Sequence, residues 1–271
     1  MRALQVCLLF FAPLLPSLLL TTPGAAAEKC PVPKRLSFQV EGEIRRDAVG
    51  FTEGLEVRDG AIYESTGNFF GETRINRIDP KTGHVSVLLN AGQSYFGEGM
   101  TFFADRLYQM TYREHRVYVF DKTMRRLPTL SNPREGWGLT HDDSQLIASD
   151  GSNRLYFLSP QDFSVRRVLP VFDRDRRVSN LNELEYVQGA IWANIFEDWT
   201  LIRISPATGC VEARADLDTL RARMSAADRR AIDADDNFVP NGIAHDPANG
   251  LFTVTGKYWP VLYTGRFVES N

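Results

Sequence analysis

The sequence predicts an all-β chain: a five-bladed β-propeller with a short helical insertion between blades four and five. Three observations predict it. Related stretches recur at Phe51-Thr52-Glu53-Gly54-Leu55, Phe96-Gly97-Glu98-Gly99-Met100, Glu135-Gly136-Trp137-Gly138-Leu139, Leu181-Asn182-Glu183-Leu184-Glu185 and Pro240-Asn241-Gly242-Ile243. They are about 40 to 60 residues apart, the period of a four-stranded propeller blade. Each runs into short strand-like segments separated by turn residues.

Taken in order, residues 36–44 alternate and read as a strand. The first unit follows with strands at 51–57, 61–67, 73–79 and 84–89, and a tight turn at Asp79-Pro80-Lys81-Thr82-Gly83. The second has strands at 99–102, 106–112 and 116–121. The third has them at 138–142, 146–151, 153–158 and 163–169. The fourth has 184–187, 189–194, 200–205 and 210–216, and its turn at Ser205-Pro206-Ala207-Thr208-Gly209 echoes that of the first. Residues 219–232, rich in Ala, Arg and Leu, read as one or two short helices. They serve either as a covering loop or as a flap beside the site. Asp233, Asp235 and Asp236 resemble a metal loop but lack the EF-hand pattern. The fifth unit has strands at 242–246 and 250–257. The leftover strand at 263–268 is expected to pair with the N-terminal strand and close the ring, leaving few free edges.

Residues 1–27 are expected to be a signal peptide: Arg2, an apolar run from Leu8 to Leu20, and a small-residue cleavage site at Ala25-Ala26-Ala27. A spanning helix needs about 20 apolar residues, and Pro13, Pro16 and Pro23 argue against one. Residues 28–271 then form a single catalytic propeller domain, secreted or periplasmic. Cys7 leaves with the signal. Cys30 and Cys210 remain, either as a disulfide or as two unpaired thiols. The 271 residues are 43% hydrophobic with net charge −3. That balance gives no basic face for nucleic acid or anionic lipid. No membrane association is expected after cleavage, and a monomer is expected.

The recurring stretches place polar side chains where propeller blades line a central channel, and their glycines allow close backbone approach. Glu53, Glu98, Glu135, Asn182, Glu183 and Asn241 are therefore candidates. Each could also be a turn-capping or solvated channel residue. Nearby aromatics, many of them core, could wall a pocket that raises a carboxyl pKa and suits it to proton transfer. Glu98 stands out because not every copy carries a carboxylate there, and Glu53 is its rival. No zinc spacing, nucleophile elbow, Rossmann fingerprint or P-loop is present. His141 and His245 occupy matching places, each followed by Asp, which favours a structural role.

Six ordered motifs together resemble the plant and bacterial, zinc-independent glutaminyl cyclases. They are Phe51-Thr52-Glu53-Gly54-Leu55, Phe96-Gly97-Glu98-Gly99-Met100-Thr101, Ser149-Asp150-Gly151-Ser152, Leu181-Asn182-Glu183-Leu184-Glu185-Tyr186, Ile191-Trp192-Ala193-Asn194 and Thr255-Gly256-Lys257-Tyr258-Trp259. The resemblance spans about residues 36–263. It implies a five-bladed propeller that converts the N-terminal glutamine of a peptide or protein to pyroglutamate with release of ammonia. It implies Glu98 as general acid/base, with Lys257 and Asn182 as polar catalytic partners. It implies Phe51, Glu53, Phe96, Tyr112, Trp137 and Phe196 as substrate-binding residues. No cofactor is required and no catalytic metal is implied, though a structural calcium in the central channel is compatible with it. The plant members have Gln where this chain has Glu53, and Tyr112 and Phe196 stand where tryptophan is expected. These departures change the shape and charge of the pocket, not the reaction. Two further readings are a non-catalytic peptide-binding propeller and a calcium-dependent lactonase-like hydrolase. The latter would draw on Glu53, Asn182 and Asn241.

Overall fold

The computed structural model describes residues 30–270, so the expected signal segment lies outside the described residues. Strand β1 (Lys34–Arg45) comes first. The next group is β2 (Phe51–Arg58), β3 (Ala61–Gly67), β4 (Thr73–Ile78) and β5 (Val85–Gly92). The second is β6 (Gly97–Phe103), β7 (Arg106–Thr111), β8 (Arg116–Asp121) and β9 (Leu130–Ser131). The third is β10 (Leu139–His141), β11 (Leu146–Ala148), β12 (Arg154–Leu158) and β13 (Val165–Pro170). A small hairpin, β14 (Phe172–Asp173) and β15 (Arg176–Arg177), leads to β16 (Leu181–Val187), β17 (Ala190–Ile195), β18 (Thr200–Ile204) and β19 (Val211–Asp216). Helices α1 (Asp218–Arg223) and α2 (Ala226–Ile232) precede β20 (Pro240–Asp246), β21 (Leu251–Gly256) and β22 (Val261–Glu269). The chain is all-β, as expected. The hairpin and β9 were not expected, because neither segment carries an apolar alternation long enough to signal a strand.

The first three groups are four-stranded sheets in chain order. The remaining strands form one eight-stranded sheet, ordered β16-β17-β18-β19-β1-β22-β21-β20. Strand β1 pairs antiparallel with β22 and, over Lys34 to Ser37, parallel with β19. The expected pairing of the two chain ends is therefore present. Cys30 and Cys210 are joined in a disulfide, with Cα atoms 5.4 Å apart, which fixes the chain just ahead of β1 to the entry of β19.

The leading strands pack in cyclic order: β2 on β6, β6 on β10, β10 on β16, β16 on β20, and β20 back on β2. An apolar cluster fills each joint. Ile75, Met100 and Leu107 join the first and second groups; Met110, Leu139 and Leu146 join the second and third. Ile147, Leu184 and Ile191 fill the next joint, and Trp192, Ile243 and Val254 the one after it. The last cluster, with Ile44, Leu55 and Ala244, closes the circle. Leu220, Met224 and Ile232 tie the helical segment into the same core.

Four of the five recurring motifs lie essentially within the leading strands rather than in turns ahead of them, whereas Glu135 to Gly138 precede β10. In β2 the register skips Glu53, between Thr52 and Gly54. In β6 it skips Glu98 and Gly99, in β16 Asn182 and Glu183, and in β20 Asn241 and Gly242. These are β-bulges, which release a residue from the ladder and re-aim its side chain. The glycines let the backbones of neighbouring leading strands meet closely. A Cβ on Gly99 would lie 2.4 Å from Leu139 N, and one on Gly138 would lie 2.0 Å from the Asn182 carbonyl oxygen. Backbone cannot yield as a flexible side chain does. Gly138→Ala should therefore destabilise the protein by at least ~2 kcal/mol, read as a lower denaturation midpoint at unchanged m-value.

Candidate active site

A cavity of about 320 Å³ opens at the end of the ring where the leading strands begin and the second strands of each group end. It is lined by Phe51, Glu53, Phe69, Phe96, Glu98, Tyr112, Trp137, Asn182, Phe196, Asn237 and Lys257. The nine catalytic and substrate-binding residues that the family resemblance implies are among them. The bulges of β2, β6 and β16 supply Glu53, Glu98 and Asn182. Phe196 and Lys257 directly follow β17 and β21, and Trp137 precedes β10.

The walls are aromatic. Phe51 meets Phe69 at 5.0 Å and Phe96 edge-on at 6.1 Å between ring centroids. Phe96 continues to Tyr112 at 5.8 Å, while Trp137 and Phe196 meet edge-on at 5.6 Å. Within these walls the Lys257 ammonium lies 2.8 Å from Glu53 Oε1, with both side chains almost fully buried. The same ammonium sits 4.2 Å above the Phe51 ring and 5.0 Å from that of Phe196, a favourable placement for a desolvated cation. Asn241 Nδ2 donates to Glu53 Oε2 at 3.0 Å and to the Thr52 carbonyl at 2.9 Å. Burial raises the Glu53 pKa, and Lys257 and Asn241 oppose the rise.

Glu98 is 5% exposed. Its backbone carbonyl accepts from Ser65 Oγ at 2.6 Å, and Gln109 Nε2 donates to that hydroxyl at 2.8 Å. Among the described residues, the Glu98 carboxyl and the Asn182 side-chain amide form no hydrogen bond, although both line the cavity. Burial holds the Glu98 pKa well above the usual carboxylate range. Repulsion from Glu53 adds to the rise, and Lys257 pulls against it.

A second buried pair underpins the first. Arg46 Nη1 lies 2.5 Å from Glu64 Oε1, and Arg46 Nε donates to the Trp259 carbonyl at 2.6 Å. Thr52 Oγ1 and Asn76 Nδ2 also donate to Glu64, at 2.6 and 2.9 Å. Arg46 thus holds the turn carrying Lys257, and Glu64 ties that grip to β2, β3 and β4.

Three candidates do not line the cavity: Asn241 supports Glu53 from behind, and Glu135 and Glu183 fall elsewhere. Glu135 lies outside the cavity and pairs with Arg113 at 2.8 Å. Glu183 is fully buried and accepts from the backbone N–H groups of Leu55 and Ile243. Near it, Glu56 and Glu185 line a separate cavity and accept from the N–H groups of Phe102 and His245. Among the described residues, no group of three or more His, Cys, Asp or Glu is placed to hold a metal ion. Sequence reasoning missed two lining residues, Phe69 and Asn237. Phe69 lies in the β3–β4 connection and Asn237 in the segment after α2. Asn237 makes the segment containing the helices a contributor to the site.

Removing Lys257 leaves Glu53 buried without its cation. Lys257→Met should cost about 3–5 kcal/mol. Adding Glu53→Gln should recover most of that loss, a coupling that a double-mutant cycle in denaturant measures directly.

The description of the family model that matches residues 14–267 is glutamine cyclotransferase. A glutaminyl-peptide cyclotransferase of Arabidopsis thaliana is 35% identical over 239 residues, covering 86% of this chain and 72% of its own. The crystal structure of Myxococcus xanthus glutaminyl cyclase superposes with a TM-score of 0.76 at 30% identity, over 88% of this chain and all of the other. The chain belongs to the glutamine cyclotransferase family.

Proposed function

We propose that the protein is a glutaminyl-peptide cyclotransferase that converts the N-terminal glutamine of peptides or proteins to pyroglutamate and ammonia. The observation that carries this reading is the Glu98 carboxyl, buried in an aromatic cavity, unpaired among the described residues and adjacent to a fixed ammonium. The catalytic unit is a five-bladed propeller within residues 28–271, with α1 and α2 between its last two blades. The cyclic packing of the leading strands and the five joint clusters support this architecture. The Cys30–Cys210 disulfide supports a secreted or periplasmic location.

The substrate glutamine folds its side chain back so that its α-nitrogen faces its own γ-carboxamide carbon. Attack is intramolecular, so a cavity that holds this conformer lowers the barrier through orientation. The α-nitrogen forms the new C–N bond while the carbonyl oxygen takes on negative charge. Glu98 takes the proton from the attacking nitrogen and returns it to the departing one, and the old C–N bond breaks to release ammonia. The Asn182 amide and the Lys257 ammonium donate to the developing oxyanion. Glu53 anchors Lys257, fixing the direction of its remaining N–H bonds. The apolar walls keep Glu98 basic enough for the exchange. A purely binding propeller has no need of such a carboxyl.

Purified mature protein incubated with a Gln-initiated peptide should release ammonia and shorten the peptide mass accordingly. Glu98→Gln should lower kcat by about 10²-fold or more with the thermal midpoint unchanged or higher. A folded native protein without turnover would sink the reading. The reactive base is the carboxylate, so kcat/KM should rise with pH through a group titrating well above the ordinary ~4.3 of glutamate. Glu53→Gln removes a repulsion and releases Lys257 to act on Glu98, so this acid limb should move to lower pH.

A further inference from the structure

The cyclisation chemistry leaves one feature at the cavity mouth unused. Phe69 lines the cavity, and its neighbour Phe70 packs against it with ring centroids 4.3 Å apart. Phe70 is 75% exposed, and its φ is 56°. That is the left-handed region, disfavoured for a bulky side chain. A free loop tip would relax and turn the ring away from water. This tip is pinned instead. Tyr258 Oη donates to the Phe69 carbonyl, and Gln93 Nε2 donates to that of Gly71. Asn68 Nδ2 donates to the Tyr95 carbonyl at 3.2 Å. Tyr258 also has a positive φ, of 58°, and is fixed by its N–H donating to the Gly50 carbonyl at 2.8 Å. Farther along the same run of rings the rim turns polar, with the Arg113 guanidinium 4.5 Å over Tyr112 and paired to Glu135.

With the glutamine folded between Glu98 and Lys257, the rest of the peptide leaves through the mouth. The first side chain outside is that of the second residue. We infer that the Phe69–Phe70 shelf receives this side chain, so that the enzyme favours peptides with an aromatic or large aliphatic residue after the N-terminal glutamine. The inference rests on the cyclotransferase reading. It accounts for a strained, pinned and exposed phenylalanine continuous with the cavity wall.

The test compares kcat/KM for Gln-Phe, Gln-Leu and Gln-Gly peptides of equal length. The native protein should favour Gln-Phe over Gln-Gly by about tenfold, the effect of partly burying one aromatic side chain. Phe70→Ala should collapse that ratio towards one, and Phe70→Leu should retain much of it. Phe70→Gly should collapse it as well, yet melt no lower than the native protein, because glycine relieves the left-handed backbone. A native ratio near one would overturn the inference, as would an equal loss on all three peptides in Phe70→Ala. Absence of turnover on every peptide would overturn the cyclotransferase reading together with the inference. That outcome is distinct from turnover without preference.

Discussion

A lysine ammonium removed from water needs a counter-charge, and Lys257 finds it 204 residues earlier in Glu53. One partner follows β21 and the other sits in β2, so the pair spans the joint where the last strands meet the first. It cannot form unless the ring closes. Breaking a buried pair leaves a bare charge, which is far more damaging than removing both partners. The Arg46–Glu64 pair repeats this logic one layer away. Arg46 grips the Trp259 carbonyl beyond Lys257, and Glu64 collects hydrogen bonds from β2 and β4. The site is thus held by two desolvated ion pairs rather than by mobile surface loops.

The same constraint explains the chemistry. Glu53 is committed to Lys257 and Asn241, whereas Glu98 has no such partner among the described residues. Two buried carboxyls therefore have different roles. The paired one orients the ammonium, and the unpaired one has a raised pKa suited to carrying a proton. The bulges make this possible. An unbroken ladder would send alternate residues into the sheet packing, whereas a bulge releases Glu98 without moving the strand.

Much of this was legible in the sequence because one physical device was repeated. A glycine beside a polar residue, at the start of a strand, marks both a bulge and a close approach of two backbones. That pattern revealed Glu53, Glu98 and Asn241, and the matching stretch Leu181-Asn182-Glu183-Leu184-Glu185, which has no glycine, added Asn182. It could not separate Asn182 from Glu183, since adjacent bulge residues point different ways, nor could it show that Glu135 would meet Arg113 outside the cavity. Phe69 and Asn237 escaped because they lie in connections, where no periodicity reports direction. Asn237 also sits beside acidic residues that suggested a metal loop, while in the structure Asp235 Oδ1 accepts from both Asn237 nitrogens. Strand β9, two residues long between prolines, is held by its neighbour β8 rather than by its own pattern.

The central claim is that Glu98 holds its proton into a pH range where an ordinary glutamate has lost it. Carbon-13 NMR of protein labelled at the glutamate carboxyl carbons, assigned by comparison with Glu98→Gln, reads that titration directly. A Glu98 resonance that changes well above the ordinary ~4.3 and moves to lower pH in Glu53→Gln is the predicted result. Titration of Glu98 at or below the ordinary value would contradict the account.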